Sequence, residues 1–100
     1  MENMVGYIYN ADNFPQTFRA GDKVYVLPGS DIVQGQIHLL DTEAGPQLKR
    51  IYTDVYQGAY CLTDELAANG PQREENPAII GLVVGYERMF NAEDAARPGM

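Results

Sequence analysis

A chain of 100 residues sets the scale at one domain with one modest core, which buries roughly 60–65% of the surface its unfolded form exposes. Apolar residues make up 45% and charged residues 21%, which is globular composition and not that of a disordered chain. Seven basic residues face fourteen acidic ones, and the net charge of -7 weighs against direct nucleic-acid binding, because phosphate contacts need Lys and Arg.

The elements follow in chain order. Residues 5–9 form a short apolar run with β-branched and aromatic members, which predicts a strand. Asn10 to Pro15 reads as a loop, and Ala20-Gly21-Asp22 as a turn feeding a strand over residues 23–27. Pro28-Gly29-Ser30-Asp31 ends that strand. Residues 36–40 give the next one, turn signals run from Asp41 to Pro46, and residues 47–52 return as the second arm of a hairpin with a loop of about five residues. Residues 56–62 predict another strand, Asp64 to Ala68 one helical turn stopped by Asn69-Gly70-Pro71, and residues 71–77 a loop. The most apolar stretch, residues 78–86, predicts a buried strand whose glycines mark a bend, a bulge or a close backbone approach. Residues 91–100 read as a flexible or short helical tail, so the domain spans residues 1–90. Neither repeats, heptads nor a helix-turn-helix are visible, and short, closely spaced strands predict a mostly β, antiparallel fold with little helix. Val24, Val26, Ile37, Leu39 and Leu48 are the candidate core.

No apolar run approaches the ~20 residues that span a bilayer, and Met1-Glu2-Asn3-Met4 leads into no signal-like segment, so a cytoplasmic, non-membrane protein is expected. Cys61 is the only cysteine and its setting, Ala59-Tyr60-Cys61-Leu62, predicts a buried thiol. His38, between Ile37 and Leu39, is expected to sit on a strand face or in a hydrogen bond and not to bind a ligand. Asp31, Asp41 and Asp54 are too scattered to suggest a metal site, and neither metal nor cofactor is expected.

Four segments, in order and with their spacing, resemble the C-terminal domain of the LexA-type self-cleaving repressors, a family that includes phage repressors. They are Phe18-Arg19-Ala20-Gly21-Asp22-Lys23-Val24-Tyr25-Val26, Asp31-Ile32-Val33-Gln34-Gly35-Gln36-Ile37, Leu48-Lys49-Arg50-Ile51-Tyr52 and Ile80-Gly81-Leu82-Val83-Val84-Gly85. The resemblance covers nearly all of residues 10–90 and implies a small signal-peptidase-like β fold. It also implies a serine–lysine catalytic pair, with Lys49 at the lysine position. At the serine position stands Asp12, followed by Asn13, and the nearby hydroxyls Thr17 and Ser30 are out of place. A carboxylate is a poor substitute for the nucleophile; Asp12 is expected near Lys49, either capping nearby loop amides or pairing with the Lys49 ammonium, and Lys49 is either a relic of catalysis or a solvated strand lysine beside Arg50.

Ala20-Gly21 and Ala44-Gly45 match the dipeptide such domains cleave, but both fall inside the domain and read as turns. The resemblance therefore implies a non-catalytic dimerisation or protein-interaction module, with any role in transcription regulation indirect. An autopeptidase domain, truncated or inactivated, and a small viral or accessory structural protein are the alternatives. The expected partner is a second copy or another protein. Tyr52, Tyr56, Ile80, Leu82, Val84 and Tyr86 are the candidate interface, since tyrosines suit half-wet contacts and the 78–86 run is rich in apolar residues.

Overall fold

The computed structural model describes residues 3–29, 31–54, 58–65 and 71–88. Among these, seven strands and no helix are found: β1 (Val5–Ile8), β2 (Lys23–Pro28), β3 (Ile37–Thr42), β4 (Gly45–Asp54), β5 (Ala59–Thr63), β6 (Gln72–Glu74) and β7 (Ile79–Glu87). They form one antiparallel sheet in the order β1-β2-β7-β3-β4-β5-β6. The last strand thus enters the middle of the sheet, between β2 and β3.

The sheet is strongly coiled. Three strands separate β1 from β4, so in a flat sheet the two would lie about 19 Å apart. Instead the Tyr7 hydroxyl donates to the Pro46 carbonyl at 3.3 Å. β7 supplies a cause, because its register slips by one residue twice, at Val84 against β2 and at Ile80 against β3. Each extra residue bends its strand and increases the local twist.

Both faces of the coiled sheet are covered at its centre. Successive residues of a strand point to opposite faces, and all four residues from Ile37 to Leu40 are buried. On one face Leu39 packs with Val24, Val26, Ile37, Leu48 and the aromatic rings of Tyr9, Phe14 and Phe18. All five core residues expected from the sequence belong to this cluster. Phe14 and Phe18 come from the 10–22 connection, which lies over the sheet as a lid, and each such ring contributes roughly 1.5–3 kcal/mol by leaving water. On the other face Leu40, Ile51 and Leu62 form a smaller cluster, covered by Ile32 from the 31–36 connection.

His38 lies on this second face and is fully buried. Its ring is satisfied at both ends: Nε2 accepts from the Val33 N–H at 3.1 Å, and Nδ1 lies 2.9 Å from the Gln36 carbonyl. Because Nε2 accepts, Nδ1 carries the proton and donates.

An ion pair between buried Asp22 and exposed Arg88 ties the end of β7 to the turn before β2. Asp22 is 2% exposed, and its carboxylate takes Arg88 Nε at 3.0 Å and Nη2 at 2.9 Å, together with the Arg19 N–H at 2.9 Å. The Arg88 hydrogen bonds hold the Asp22 carboxyl below the ordinary 3.8, against the opposing pull of burial. Gly21, at φ 94°, supplies the left-handed turn that aims Asp22 inward.

Four sequence expectations change. Residues 72–74, expected as loop, form β6, because their backbone pairs with Tyr60, Cys61 and Leu62 even though their side chains are polar. The β3–β4 hairpin closes on two residues, with Thr42 opposite Gly45, so its strands run further into the turn region than the composition suggests. The Thr42 hydroxyl donates to the Gly45 carbonyl at 2.7 Å and accepts from the Ala44 N–H, holding the turn without a longer loop. Cys61 is part-buried, since it points away from the Leu40–Ile51–Leu62 cluster that its neighbour Leu62 joins. Within the apolar 78–86 run only Gly81 is fully buried, while Val84 and Tyr86 are about half exposed, because the strand outruns the lids that cover the centre. The predicted helical turn at residues 64–68 falls largely outside the described residues, as does the tail at 91–100.

Two glycines of β7 separate packing from openness. A Cβ on Gly81 would stand 2.4 Å from the Leu27 carbonyl oxygen and 2.7 Å from Val26 Cγ1, whereas one on Gly85 would meet nothing within 4 Å. Gly81→Ala is expected to lower unfolding free energy by about 1–3 kcal/mol in urea titration. Gly85→Ala is expected to be neutral or mildly stabilising, because it only restricts the unfolded chain.

Candidate functional site

Lys49 sits in β4 opposite His38 of β3. β5 pairs with β4 only from Arg50 to Asp54, so residues 46–49 have no strand on their outer side. The 10–17 connection fills that place. Asn13 Nδ2 donates to the Leu48 carbonyl at 2.7 Å and to Asp64 Oδ1 at 3.2 Å. The same amide's Oδ1 accepts from the Tyr9 hydroxyl at 3.1 Å, which in turn accepts from the Phe14 N–H at 2.8 Å. The Asn13 carbonyl accepts from the Glu65 N–H at 2.9 Å, and the Glu65 carboxylate accepts from the Gln16 N–H and the Thr17 hydroxyl. Pro46 has no N–H to offer, and its carbonyl is taken by Tyr7. The open stretch of β4 is therefore closed by side chains and a proline instead of a strand.

Lys49 Nζ lies 2.6 Å from Asp64 Oδ1, in a pair whose side chains are 14% and 15% exposed. Asp12 is exposed and lines the same cleft of about 360 Å³ with Tyr7, Asn13, Lys49 and Asp64. Asp12 thus comes to the same cleft as Lys49, but Lys49 takes Asp64 and not Asp12 as its ion partner. The expected Asp12–Lys49 pair is replaced because β5 delivers Asp64 directly to the end of the lysine side chain.

A lysine general base must present a neutral amine to a hydroxyl. The group facing Lys49 is a carboxylate, and the Thr17 hydroxyl is bonded to Glu65. Ser30 lies outside the described residues. No three His, Cys, Asp or Glu side chains converge as a metal site requires, among the described residues. No helix among them is long and apolar enough to cross a membrane.

The candidate interface residues divide. Tyr52, Val84 and Tyr86 are 41%, 49% and 48% exposed, so they can touch a partner. Ile80 and Leu82 are part-buried, and Ile80 packs against the larger core. Tyr86 stacks edge-on upon Phe18, with ring centres 5.4 Å apart. Tyr56 lies outside the described residues. β7 carries four of these six residues; β2 pairs with it from Gly81 to Glu87, whereas β3 pairs with it only from Ile79 to Leu82, so residues 83–87 have no strand on that second side among the described residues.

Asn13, Asp64 and the Asp22–Arg88 pair carry the local order and were not singled out by the sequence. Asp64 follows Lys49 by 15 residues and Asn13 precedes it by 36, so no local motif links them. Gly21-Asp22 was the one visible signal. Compared with known proteins, the chain matches no family model and no curated sequence.

Two measurements check this arrangement. Asn13→Ala is expected to cost about 1–2 kcal/mol in urea, because it leaves the Leu48 carbonyl without its donor. His38 supplies a pH dependence. Burial holds its imidazole below the ordinary value of 6.5, against the weaker opposing effect of the Gln36 carbonyl. The unfolded chain therefore takes up the proton first as pH falls. Its stabilising contribution is full above about 6.5 and is lost as pH drops from there through the folded-state value. The urea midpoint is expected to fall between about pH 7 and pH 5, and His38→Gln is expected to flatten that slope.

Proposed function

We propose that the chain is a non-catalytic protein-interaction module, resembling the C-terminal domain of LexA-like repressors, that works by dimerising or by engaging another protein. The observation that carries this reading is the carboxylate of Asp64 in front of Lys49, where catalysis would need a hydroxyl. The filled edge of β4 supports it further. A substrate segment lying beside Lys49 would meet Asn13, Tyr7 and Pro46 instead of free main-chain groups. Lys49 is thereby held in a part-buried ion pair beside the cleft. Any part in transcription regulation would be indirect, through the partner, in a cytoplasmic setting.

Long incubation at alkaline pH followed by intact-mass measurement tests the reading, since alkali favours the neutral amine that a lysine base requires. An unchanged mass is expected. Asp12→Ser is also expected to stay intact, because Asp64 still occupies Lys49. Cleavage at Ala20-Gly21, or any fragments that vanish in Lys49→Ala, would overturn it.

A further inference from the structure

Three side chains of the corner around Lys49 meet at one oxygen. Asp64 Oδ1 accepts from Lys49 Nζ at 2.6 Å and from Asn13 Nδ2 at 3.2 Å. A primary amine and a carboxamide thus lie on the same carboxylate atom. Main-chain contacts beside each partner hold them there. Asn13 Nδ2 also donates to the carbonyl of Leu48, the residue before Lys49, at 2.7 Å. The Asn13 carbonyl accepts from the N–H of Glu65, the residue after Asp64, at 2.9 Å.

The oxygen of the Asn13 amide is held as firmly. Its Oδ1 accepts from the hydroxyl of Tyr9, a side chain 1% exposed, at 3.1 Å. That hydroxyl itself accepts from the Phe14 N–H at 2.8 Å, which leaves its own proton for Asn13. A nucleophile, an acyl carbon, a donor on the carbonyl oxygen and one carboxylate between the attacking and the leaving nitrogen are the parts of an acyl transfer.

We propose that Lys49 and Asn13 join in an isopeptide bond, formed by the folded chain itself with Asp64 as proton carrier. Lys49 Nζ gives a proton to Asp64, and the electron pair so freed attacks Asn13 Cγ. The carbonyl electrons move onto Oδ1, where the Tyr9 hydroxyl stabilises the charge. A new C–N bond forms and the Cγ–Nδ2 bond breaks. Both protons that Nζ gives up pass by way of Asp64 to the departing nitrogen, which leaves as ammonium. No oxidant or further reactant is consumed. An amine and an amide scarcely combine in water, but well-oriented groups gain effective concentrations of roughly 10⁵–10⁸ M. The bond ties the 10–17 segment to β4 and closes a loop through β2 and β3, which constrains the unfolded chain. It needs no outside substrate and stands apart from the interaction-module reading.

Intact-mass measurement of the freshly purified protein tests the proposal. The mass is expected to lie below that of the sequence by one ammonia, and isoelectric focusing to show one positive charge fewer. A tryptic digest is expected to hold a branched peptide joining Asn13 to Lys49. Lys49→Arg keeps a cation beside Asp64 but has no primary amine, and Asp64→Asn cannot carry protons. Both variants should stay folded by circular dichroism and keep the full mass of their sequences. An unmodified protein mass equal to that of the sequence would overturn the proposal. So would a loss of ammonia that survives in Lys49→Arg, or one that maps to a linear peptide, as a cyclised asparagine gives without change of charge. Self-cleavage is read separately, because it yields two fragments, whereas the cross-linked chain keeps one constant mass through the alkaline incubation. In the Lys49→Arg background, Asn13→Ala keeps only the cost of the lost Leu48 hydrogen bond.

Discussion

Ile37, His38, Leu39 and Leu40 are four consecutive residues without access to water, and in a strand such a run demands cover on both faces. Two connections between strands meet that demand. Residues 9–22 bring Tyr9, Phe14 and Phe18 over Leu39, and residues 31–36 bring Ile32 over Leu40 and the Val33 amide to His38. The sheet coils far enough for β1 to reach β4, which closes the larger core with Tyr7 at its rim. Without covered faces β3 could not be central, and β7 would have no reason to enter beside it.

The same cover determines the chemistry at Lys49. The 10–17 segment folds over the sheet for the sake of Phe14, and in doing so carries Asn13 to the unpaired flank of β4. Asn13 joins that flank to Asp64, and Asp64 holds Lys49. A position that could present a basic amine is thereby built into a part-buried network in which each polar group has a partner. Such networks lend specificity to a packing arrangement, and breaking one member exposes the others to an unmet hydrogen bond.

Edge management gives the molecule an asymmetry. One end of the sheet finishes in a short, charged strand and the other in an uncharged apolar one. Seven excess negative charges keep copies of the chain apart in general.

The sequence by itself determined the β class, the five residues at the heart of the larger core, and the turns at Gly21, Gly29 and Gly45, whose φ is positive, because alternation and turn chemistry are local. Which side chains of residues 79–87 are buried was decided only by the tertiary structure. The two register slips in β7 break the period of two, so Ile80 and Val83 share a core although they stand three positions apart. β6 was invisible because pairing of its backbone leaves no mark on three polar side chains. The Asp64–Lys49 and Asp22–Arg88 pairs join residues 15 and 66 positions apart, and only a coiled sheet, with its ends brought round to meet its middle, decides which charges become neighbours.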